Sequence, residues 1–506
     1  LIEERWVAQV SAAGYPLLCL YLSVYVWLFV WIGGRALQLG LPRWTKPVAL
    51  AALWLGIETL RGRVVFGGYN WFFLAQPLVD LPAAGLARLA GATGASLLTA
   101  LVAALLAMAA HDRRARRLSL LAAIALALLA NAGGWLLLRT PAAAPQRVIR
   151  VGLVQTNVPQ SNKQTWTAAQ RKADFARFVA LTEALADADP PPDVIVWPET
   201  MYPGLTLDPA ANEIERQAGL RFADESGEAV ATTDFYDQLL ALSRRVRIPL
   251  LVGAIGVEGR RLEPVDGGGV VPTQRAKFNS LYLVHDGAVV ARQDKRRLTP
   301  FGEFLPYFRR IPPLERLLLT VGAAGMAFDL DEGAPSPPFA IELHNGDSAR
   351  IAAVICFEST YPDLVRRLAL QGANRRADLL VNATNDGWFG PSQAGRLQHL
   401  QIARWRAVET ATPLARAANT GLSACIDAHG GLVPLRRVGK GQLHKTVQFG
   451  PANVAGAFVA AVPLPASSPL RAAAWADGVI AWGCLALTAL AALAPAGKTS
   501  RRTRTA

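Results

Sequence analysis

Ala353-Val354-Ile355-Cys356-Phe357-Glu358 is a short run of small and β-branched residues that stops at a thiol and a carboxylate. A run of this length with no alternation reads as a strand covered on both faces. A cysteine at its end can present sulfur at the sheet edge while backbone N–H groups point toward a bound carbonyl. A buried, inert cysteine fits the same pattern. Upstream, Val194-Ile195-Val196-Trp197-Pro198-Glu199-Thr200 repeats the arrangement, with an apolar strand and a Pro turn ending at a carboxylate. Partial desolvation there suits a general base, while an ordinary surface-loop Glu is the default reading of this stretch taken alone. A third stretch, Arg292-Gln293-Asp294-Lys295-Arg296-Arg297-Leu298-Thr299-Pro300-Phe301-Gly302-Glu303-Phe304, offers Lys295 as a cation that could hold an oxyanion or favour a thiolate. Three adjacent cations also suit a solvated face.

Outward from these stretches, further β runs lie at Val148 to Val154, Leu250 to Ile255, Ser280 to Val284, Leu379 to Asn382 and Ser423 to Asp427. Thr167 to Ala188 and His399 to Ala411 have helical periodicity. Alternating strands and helices predict an α/β sandwich domain over 147–466. Within it, Asp208 to Asp237 reads as an inserted arm or loop, and Pro264 to Pro272 as a Gly-rich turn.

The rest of the chain is different in kind. With 506 residues, 52% hydrophobic and 18% charged, it is more apolar than a soluble enzyme, which carries about 25% charged residues. Apolar stretches approaching the roughly 20 residues of a membrane span predict transmembrane helices near 17–37, 47–66, 84–110 and 118–138, all within 1–146. A fifth follows from Ala472 to Ala494, inside a C-terminal segment 467–506 with a basic tail. The second is the shortest, because Glu58 and Arg61 follow about a dozen apolar residues. Arg35, Arg43 and Lys46, then Arg113, Arg114, Arg116 and Arg117, then Lys498, Arg501, Arg502 and Arg504 sort by the positive-inside rule to the cytoplasmic side. The net charge of +14 is thereby taken up as a topology signal, and no nucleic acid partner is expected. The segment 139–471 then lies on the opposite side, and an odd number of additional spans ahead of Leu1 would repair the parity at the start.

Other chemistries find little support. The four cysteines, Cys19, Cys356, Cys425 and Cys484, have no CxxC spacing. The six histidines show no HExxH or ligand spacing, so no metal and no cofactor are expected. No GxSxG or phosphate-loop pattern occurs.

Taken in order, Trp197-Pro198-Glu199, Lys295 with Leu298-Thr299-Pro300-Phe301-Gly302-Glu303, Cys356-Phe357-Glu358 and Asn385-Asp386-Gly387-Trp388-Phe389-Gly390 resemble the nitrilase superfamily. With spans on both flanks, and with Glu58-Thr59-Leu60-Arg61-Gly62, Val154-Gln155-Thr156-Asn157-Val158-Pro159-Gln160 and Gln398-His399-Leu400-Gln401-Ile402-Ala403-Arg404, the chain is similar to the bacterial apolipoprotein N-acyltransferase family. That resemblance implies an αββα sandwich flanked by transmembrane helices, four before and one after. It also implies a Glu199–Lys295–Cys356 triad.

By the same resemblance Glu199 takes the thiol proton, and Cys356 accepts an acyl chain from a membrane phospholipid as a thioester. Lys295 and the backbone N–H of Phe357 stabilise the oxyanion. The acceptor is the N-terminal amine of a diacylglyceryl-cysteine on an apolipoprotein, the last step of lipoprotein maturation. Glu303 and Glu358 would support the triad. Trp166, Asn385, Trp388 and Phe389 would belong to substrate-binding loops. The implied location is the bacterial inner membrane, multi-pass, with the catalytic domain on the extracytoplasmic side. Family members usually carry further spans before the domain, and Phe357 stands where relatives often have Tyr. A membrane-tethered nitrilase-type amidase and a noncatalytic membrane-anchored protein of the same fold are the alternatives.

Overall fold

The computed structural model describes residues 4–139, 147–159, 166–223, 229–265, 269–304, 307, 330–372, 374–439, 446–465 and 475–494. The chain forms two compact units, one of Ile2–Gly14 with Ala142–Pro469 and one of Leu1, Tyr15–Pro141 and Leu470–Ala506.

The first unit is built on two sheets. Its strands are β1 (Arg147–Gln155), β2 (Val194–Val196), β3 (Leu250–Glu258), β4 (Ala276–His285), β5 (Ala288–Asp294), β6 (Phe339–Glu342), β7 (Ser348–Ala353), β8 (Leu379–Thr384), β9 (Leu414–Ala418), β10 (Ala424–Ile426), β11 (Leu432–Val433), β12 (Leu435–Val438), β13 (Thr446–Val447) and β14 (Gly456–Leu464). One sheet has the order β13-β12-β14-β1-β2-β3-β4-β5, the other β6-β7-β8-β9-β10-β11. The central strands are parallel, with Val151 opposite Val194, Ile195 opposite Leu250, Ile351 opposite Leu379 and Leu380 opposite Leu414. Antiparallel strands complete the edges.

The apolar runs are continuous because both faces of each central strand are covered. In β2, Val194 and Val196 point between the sheets, where they meet Ile351, Ala353, Leu379 and Val381. Ile195 and Trp197 point the other way, onto Phe175, Phe178, Leu239 and Leu242 of the helices Ala168–Ala186 and Asp234–Val246. Helices Pro362–Ala369 and Gln393–Thr410 pack on the outside of the second sheet, completing an αββα sandwich. The stretch expected as an arm, Asp208 to Asp237, contains the helix Pro209–Gln217 and a short hairpin, Arg221–Ala223 with Ala229–Ala231. Of the expected turn at Pro264 to Pro272, the described residues lie in the paired strands Arg261–Val265 and Gly269–Thr273, and 266–268 lie outside the described residues.

In the second unit, four helices among the described residues are long and apolar enough to cross a membrane: Gly14–Leu37, Pro82–His111, Arg116–Leu138 and Ala476–Leu493. They expose Leu17, Leu20, Trp27, Leu118, Leu121, Leu129 and Leu487, the surface expected where the solvent is lipid. The run expected as a span at 47–66 is helical and packs within this unit. It forms the 14-residue helix Lys46–Thr59, which continues as a π-helical turn, Leu60–Val64. It is packed rather than lipid-facing on one side, with Ala51, Leu53 and Leu55 buried. A Cβ on Gly56 would stand 2.6 Å from the Cys484 carbonyl, so the two helices meet backbone to backbone. Arg63 of the turn pairs with buried Asp477 at 2.7 Å. The basic tail residues Lys498, Arg501, Arg502 and Arg504 lie outside the described residues.

Candidate active site

The three strand ends that stand out in the sequence are adjacent in the fold. Glu199 follows β2, Lys295 follows β5 and Cys356 follows β7. Each turn contains a non-glycine residue in the left-handed region, with φ 47° at Thr200, 59° at Phe301 and 51° at Cys356. Such backbone costs on the order of 1–3 kcal/mol and persists only where the surroundings over-determine it.

Two side chains hold the Lys295 and Cys356 strands in register across the sandwich. Gln293 donates to the Ile351 carbonyl at 3.3 Å and accepts from the Ala353 N–H at 2.9 Å. Glu358 accepts from the N–H groups of Ile355 at 2.7 Å, Arg296 at 2.6 Å and Arg297 at 3.1 Å. It therefore ties the cysteine elbow to the residues just past Lys295. Burial pushes the Glu358 carboxyl up to about 7, with these N–H donors and Lys295 opposing the rise.

Lys295 is 1% exposed. Its ammonium stands 2.8 Å from Glu303 Oε2 and 3.6 Å from Glu199 Oε1. Burial works against the ammonium, but the carboxylates of Glu303 and Glu199 outweigh it and hold its pKa above the ordinary lysine range. Burial acts on Glu303 too, yet Lys295 and hydrogen bonds from Thr299 and Asn279 bring it below the usual carboxylate value. The Asn279 amide donates to Glu199 at 2.7 Å and to Glu303 at 3.0 Å, so one side chain spaces the two carboxylates. The second oxygen of Glu199 accepts from the Asn385 N–H at 2.9 Å.

Cys356 is partly exposed. Burial pushes its thiol up to about 12, and the charge of Glu199 adds to this, while Lys295 and a hydrogen bond with Thr384 offset part of the rise. The resting group is therefore a protonated thiol, on which the charges of the Glu199 carboxylate and the Lys295 ammonium both bear.

Glu199, Lys295, Cys356, Glu303, Glu358 and the backbone of Asn385 thus form one cluster. Phe357 is the second residue of the 3₁₀ turn Cys356–Thr360. Trp166 donates to Asp174 at 2.9 Å and lies beside Arg171. Phe389 packs edge-on against Trp6 at 4.8 Å, and Trp388 is half-buried beside it. Asn279 belongs to the cluster yet escapes a reading of the sequence, because the apolar pattern of β4 starts only after it. A lone Asn between Phe278 and Leu281 at the edge of such a run is the signal that could have found it.

The family described as Carbon-nitrogen hydrolase matches residues 150–444, and that described as Apolipoprotein N-acyltransferase N-terminal domain matches residues 3–105. The protein named Apolipoprotein N-acyltransferase from Rhizobium meliloti is 32% identical over 85% of this chain and 71% of its own length. The chain belongs to the apolipoprotein N-acyltransferase family. The family member from Geobacter metallireducens is 30% identical over 85% of this chain and 73% of its own. That from Brucella melitensis is 34% identical, but the match spans 47% of its length. A solved amidase from Nesterenkonia sp. is 16% identical over 64% of this chain and 94% of its own, with a TM-score of 0.37. Family membership makes the chain a membrane-integrated acyltransferase.

Proposed function

We propose that this chain transfers a fatty acyl group from a membrane phospholipid to the N-terminal amine of diacylglyceryl-cysteine on apolipoproteins, through a thioester on Cys356. The observation that carries this reading is the enclosure of Cys356, Glu199 and Lys295 in one cluster, in a chain of this family whose other unit has helices fit for lipid. Glu199 takes the thiol proton as sulfur attacks the ester carbonyl. Lys295 and the Phe357 N–H stabilise the oxyanion. The tetrahedral adduct expels a lysophospholipid, whose alkoxide takes the proton back from Glu199. The incoming α-amine then attacks the thioester, Glu199 accepts its proton, and collapse of the adduct returns it to sulfur with release of the amide.

A donor dissolved in a leaflet needs its site at the membrane surface, which tethering by apolar helices provides. The basic loops support a location in the inner membrane with the catalytic domain on the extracytoplasmic side. The test is intact mass spectrometry of the detergent-purified chain after incubation with phospholipid, alongside Cys356→Ser. A fatty-acyl increment at Cys356, discharged only when a diacylated lipopeptide is added, is the expected result. Discharge to water regardless of lipopeptide would make the chain an amidase-like hydrolase. A Cys356 that is never acylated would refute the assignment of the nucleophile.

A further inference from the structure

Behind the cysteine elbow lies a buried polar network that the proposed chemistry leaves unused. The Cys356 carbonyl accepts from the Asn382 amide at 3.2 Å and from the Ser359 hydroxyl at 3.2 Å. Ser359 Oγ lies 3.0 Å from His399 Nε2, which is itself 3.3 Å from that carbonyl. On the far side of the ring, Nδ1 is 3.0 Å from the Arg416 guanidinium and 3.2 Å from Asp386 Oδ1. Arg416 also donates to both oxygens of Asp386 at 2.7 Å and to the Asn382 side-chain carbonyl. Two routes therefore run from one fully buried guanidinium to one backbone oxygen, the first through His399 and Ser359, the second through Asn382. The loop 385–390 serves both halves of the site. Its Asn385 N–H donates to Glu199 at 2.9 Å, while Asp386 and Phe389, edge-on to the imidazole at 6.0 Å, flank His399.

The direction of these bonds follows from the guanidinium. Arg416 keeps its protons, so the ring nitrogen 3.0 Å away accepts, and the single proton of a neutral His399 is on Nε2. Asp386 Oδ1 is farther from Nδ1 and already accepts from Arg416 and from the Thr384 hydroxyl. Burial and the Arg416 charge hold the imidazole below its ordinary range and so disfavour a second proton. Nε2 then donates to Ser359, whose hydroxyl donates to the Cys356 carbonyl. Ser359, His399 and Asp386 are the residue types of a serine hydrolase triad, but that arrangement needs the ring proton on the carboxylate side, and Ser359 is wholly enclosed. The trio acts on the elbow instead. The Cys356 carbonyl and the Phe357 N–H are the two ends of one planar peptide group, entered here with Cys356 at φ 51°. Donors gathered at the oxygen fix the direction of that N–H and polarise it into a stronger donor.

We propose that His399 is a positioning residue for acyl transfer, which donates from Nε2 through Ser359 to the Cys356 carbonyl and thereby aims and strengthens the Phe357 N–H toward the oxyanion. His399 gives up no proton in this role and touches no substrate. Arg416 selects its tautomer, and Asn382 supplies the second donor to the same oxygen. This inference rests on Cys356 being the nucleophile and on the Phe357 N–H facing the oxyanion.

The experiment compares two reactions of the same sulfur in the full chain in detergent. Single-turnover acylation of Cys356 by phospholipid, read by intact mass, passes through an oxyanion. Alkylation by iodoacetamide, read on the Cys356 peptide so that Cys19, Cys425 and Cys484 do not contribute, displaces iodide and forms none. His399→Asn keeps an acceptor for Arg416 near Nδ1 but has no donor at the place of Nε2. It is expected to slow acylation about tenfold, the worth of one hydrogen bond in a buried network, and to leave alkylation unchanged. His399→Gln puts an amide N–H near the place of Nε2 and is expected to recover most of the acylation rate. Ser359→Ala breaks the same link, carries the same expectation as His399→Asn, and replaces it if thermal unfolding shows that the Asn variant does not fold. Acylation at the unaltered rate in His399→Asn overturns the proposal. Equal slowing of acylation and alkylation overturns it too, because the network would then support the thiol and not the oxyanion, as does a Gln variant as slow as the Asn variant. If the unaltered chain alkylates at Cys356 but takes no acyl group from phospholipid, the proposed reaction falls first and this inference with it.

Discussion

Replacing Glu358 by Gln separates the two things its carboxylate does. Its oxygens take three backbone N–H groups, from Ile355, Arg296 and Arg297. Gln has one acceptor oxygen in the same shape. If that oxygen keeps the two Arg N–H groups, its NH₂ meets the Ile355 N–H donor to donor, and a buried unsatisfied donor costs about 1–3 kcal/mol. A second contribution depends on pH. The Glu358 carboxyl lies at about 7 in the fold against an ordinary 4.5, so the folded chain holds this proton more tightly than the unfolded chain. The resulting stability is fully present below pH 4.5 and is lost as pH rises through 7. At about 1.4 kcal/mol per pH unit it amounts to about 3 kcal/mol. Glu358→Gln lacks it altogether. The difference in melting temperature between the unaltered chain and the variant should therefore be largest near pH 5 and should narrow by several degrees by pH 8.5. Tryptophan fluorescence during heating in detergent reads this directly, since the chain has 13 Trp. A gap that stays constant with pH, or a variant as stable as the parent at pH 5, would refute the reasoning.

Gly253→Ala should impair the site without touching it. A Cβ there would stand 2.1 Å from the Pro198 carbonyl and 2.8 Å from the Glu199 Cα, so the turn that carries Glu199 must move. A displacement on the order of 1 Å costs about 100-fold in rate, measured as Cys356 acylation by intact mass with folding checked by melting temperature. Lys295→Met leaves Glu199 and Glu303 facing each other across one Asn279 amide with no cation between them. Acyl-enzyme should not form, and stability at pH 8 should fall by about 3–5 kcal/mol. Part of that loss should be recovered toward pH 5 as one carboxylate takes up a proton, which thermal unfolding at the two pH values will show.

The strands that carry the site were legible in the sequence because burial on both faces makes them continuous apolar runs ending at a reactive residue. Val194 to Val196 and Ile351 to Ala353 are of this kind. The run ending at Asp294 was harder to read, because β5 is an edge strand with alternating exposure and its last residues are charged. The 47–66 segment was the hardest of the apolar runs to bound, for a different reason. Its α-helix passes at Thr59 into the π-helical turn Leu60–Val64, where charged Arg61 and Arg63 interrupt the apolar pattern, and Gly56 allows close packing within its own unit. Asn279 was missed because its significance lies in its contacts with Glu199 and Glu303, which come from distant parts of the chain. Polar residues scattered through apolar stretches carry no mark of which partner they will meet.

The charge arrangement explains how a thiol held near 12 can serve as a nucleophile in the proposed reaction. Glu199, Glu303 and Lys295 together carry one net negative charge while Cys356 is neutral. Passing the thiol proton to Glu199 leaves the total unchanged, since the charge that leaves the carboxylate appears on sulfur. No new charge is buried, so the desolvation that raises the thiol in isolation is largely cancelled by neutralising its buried neighbour. Lys295 need not move for this, because it already faces both carboxylates, at 2.8 Å to Glu303 and 3.6 Å to Glu199. Glu303 fixes the ammonium, and the longer contact with Glu199 is the one that can weaken as its charge is transferred. A second carboxylate beside the base therefore keeps Lys295 charged and in place during the interval when Glu199 is neutral and can no longer do so, which is the interval in which the oxyanion forms.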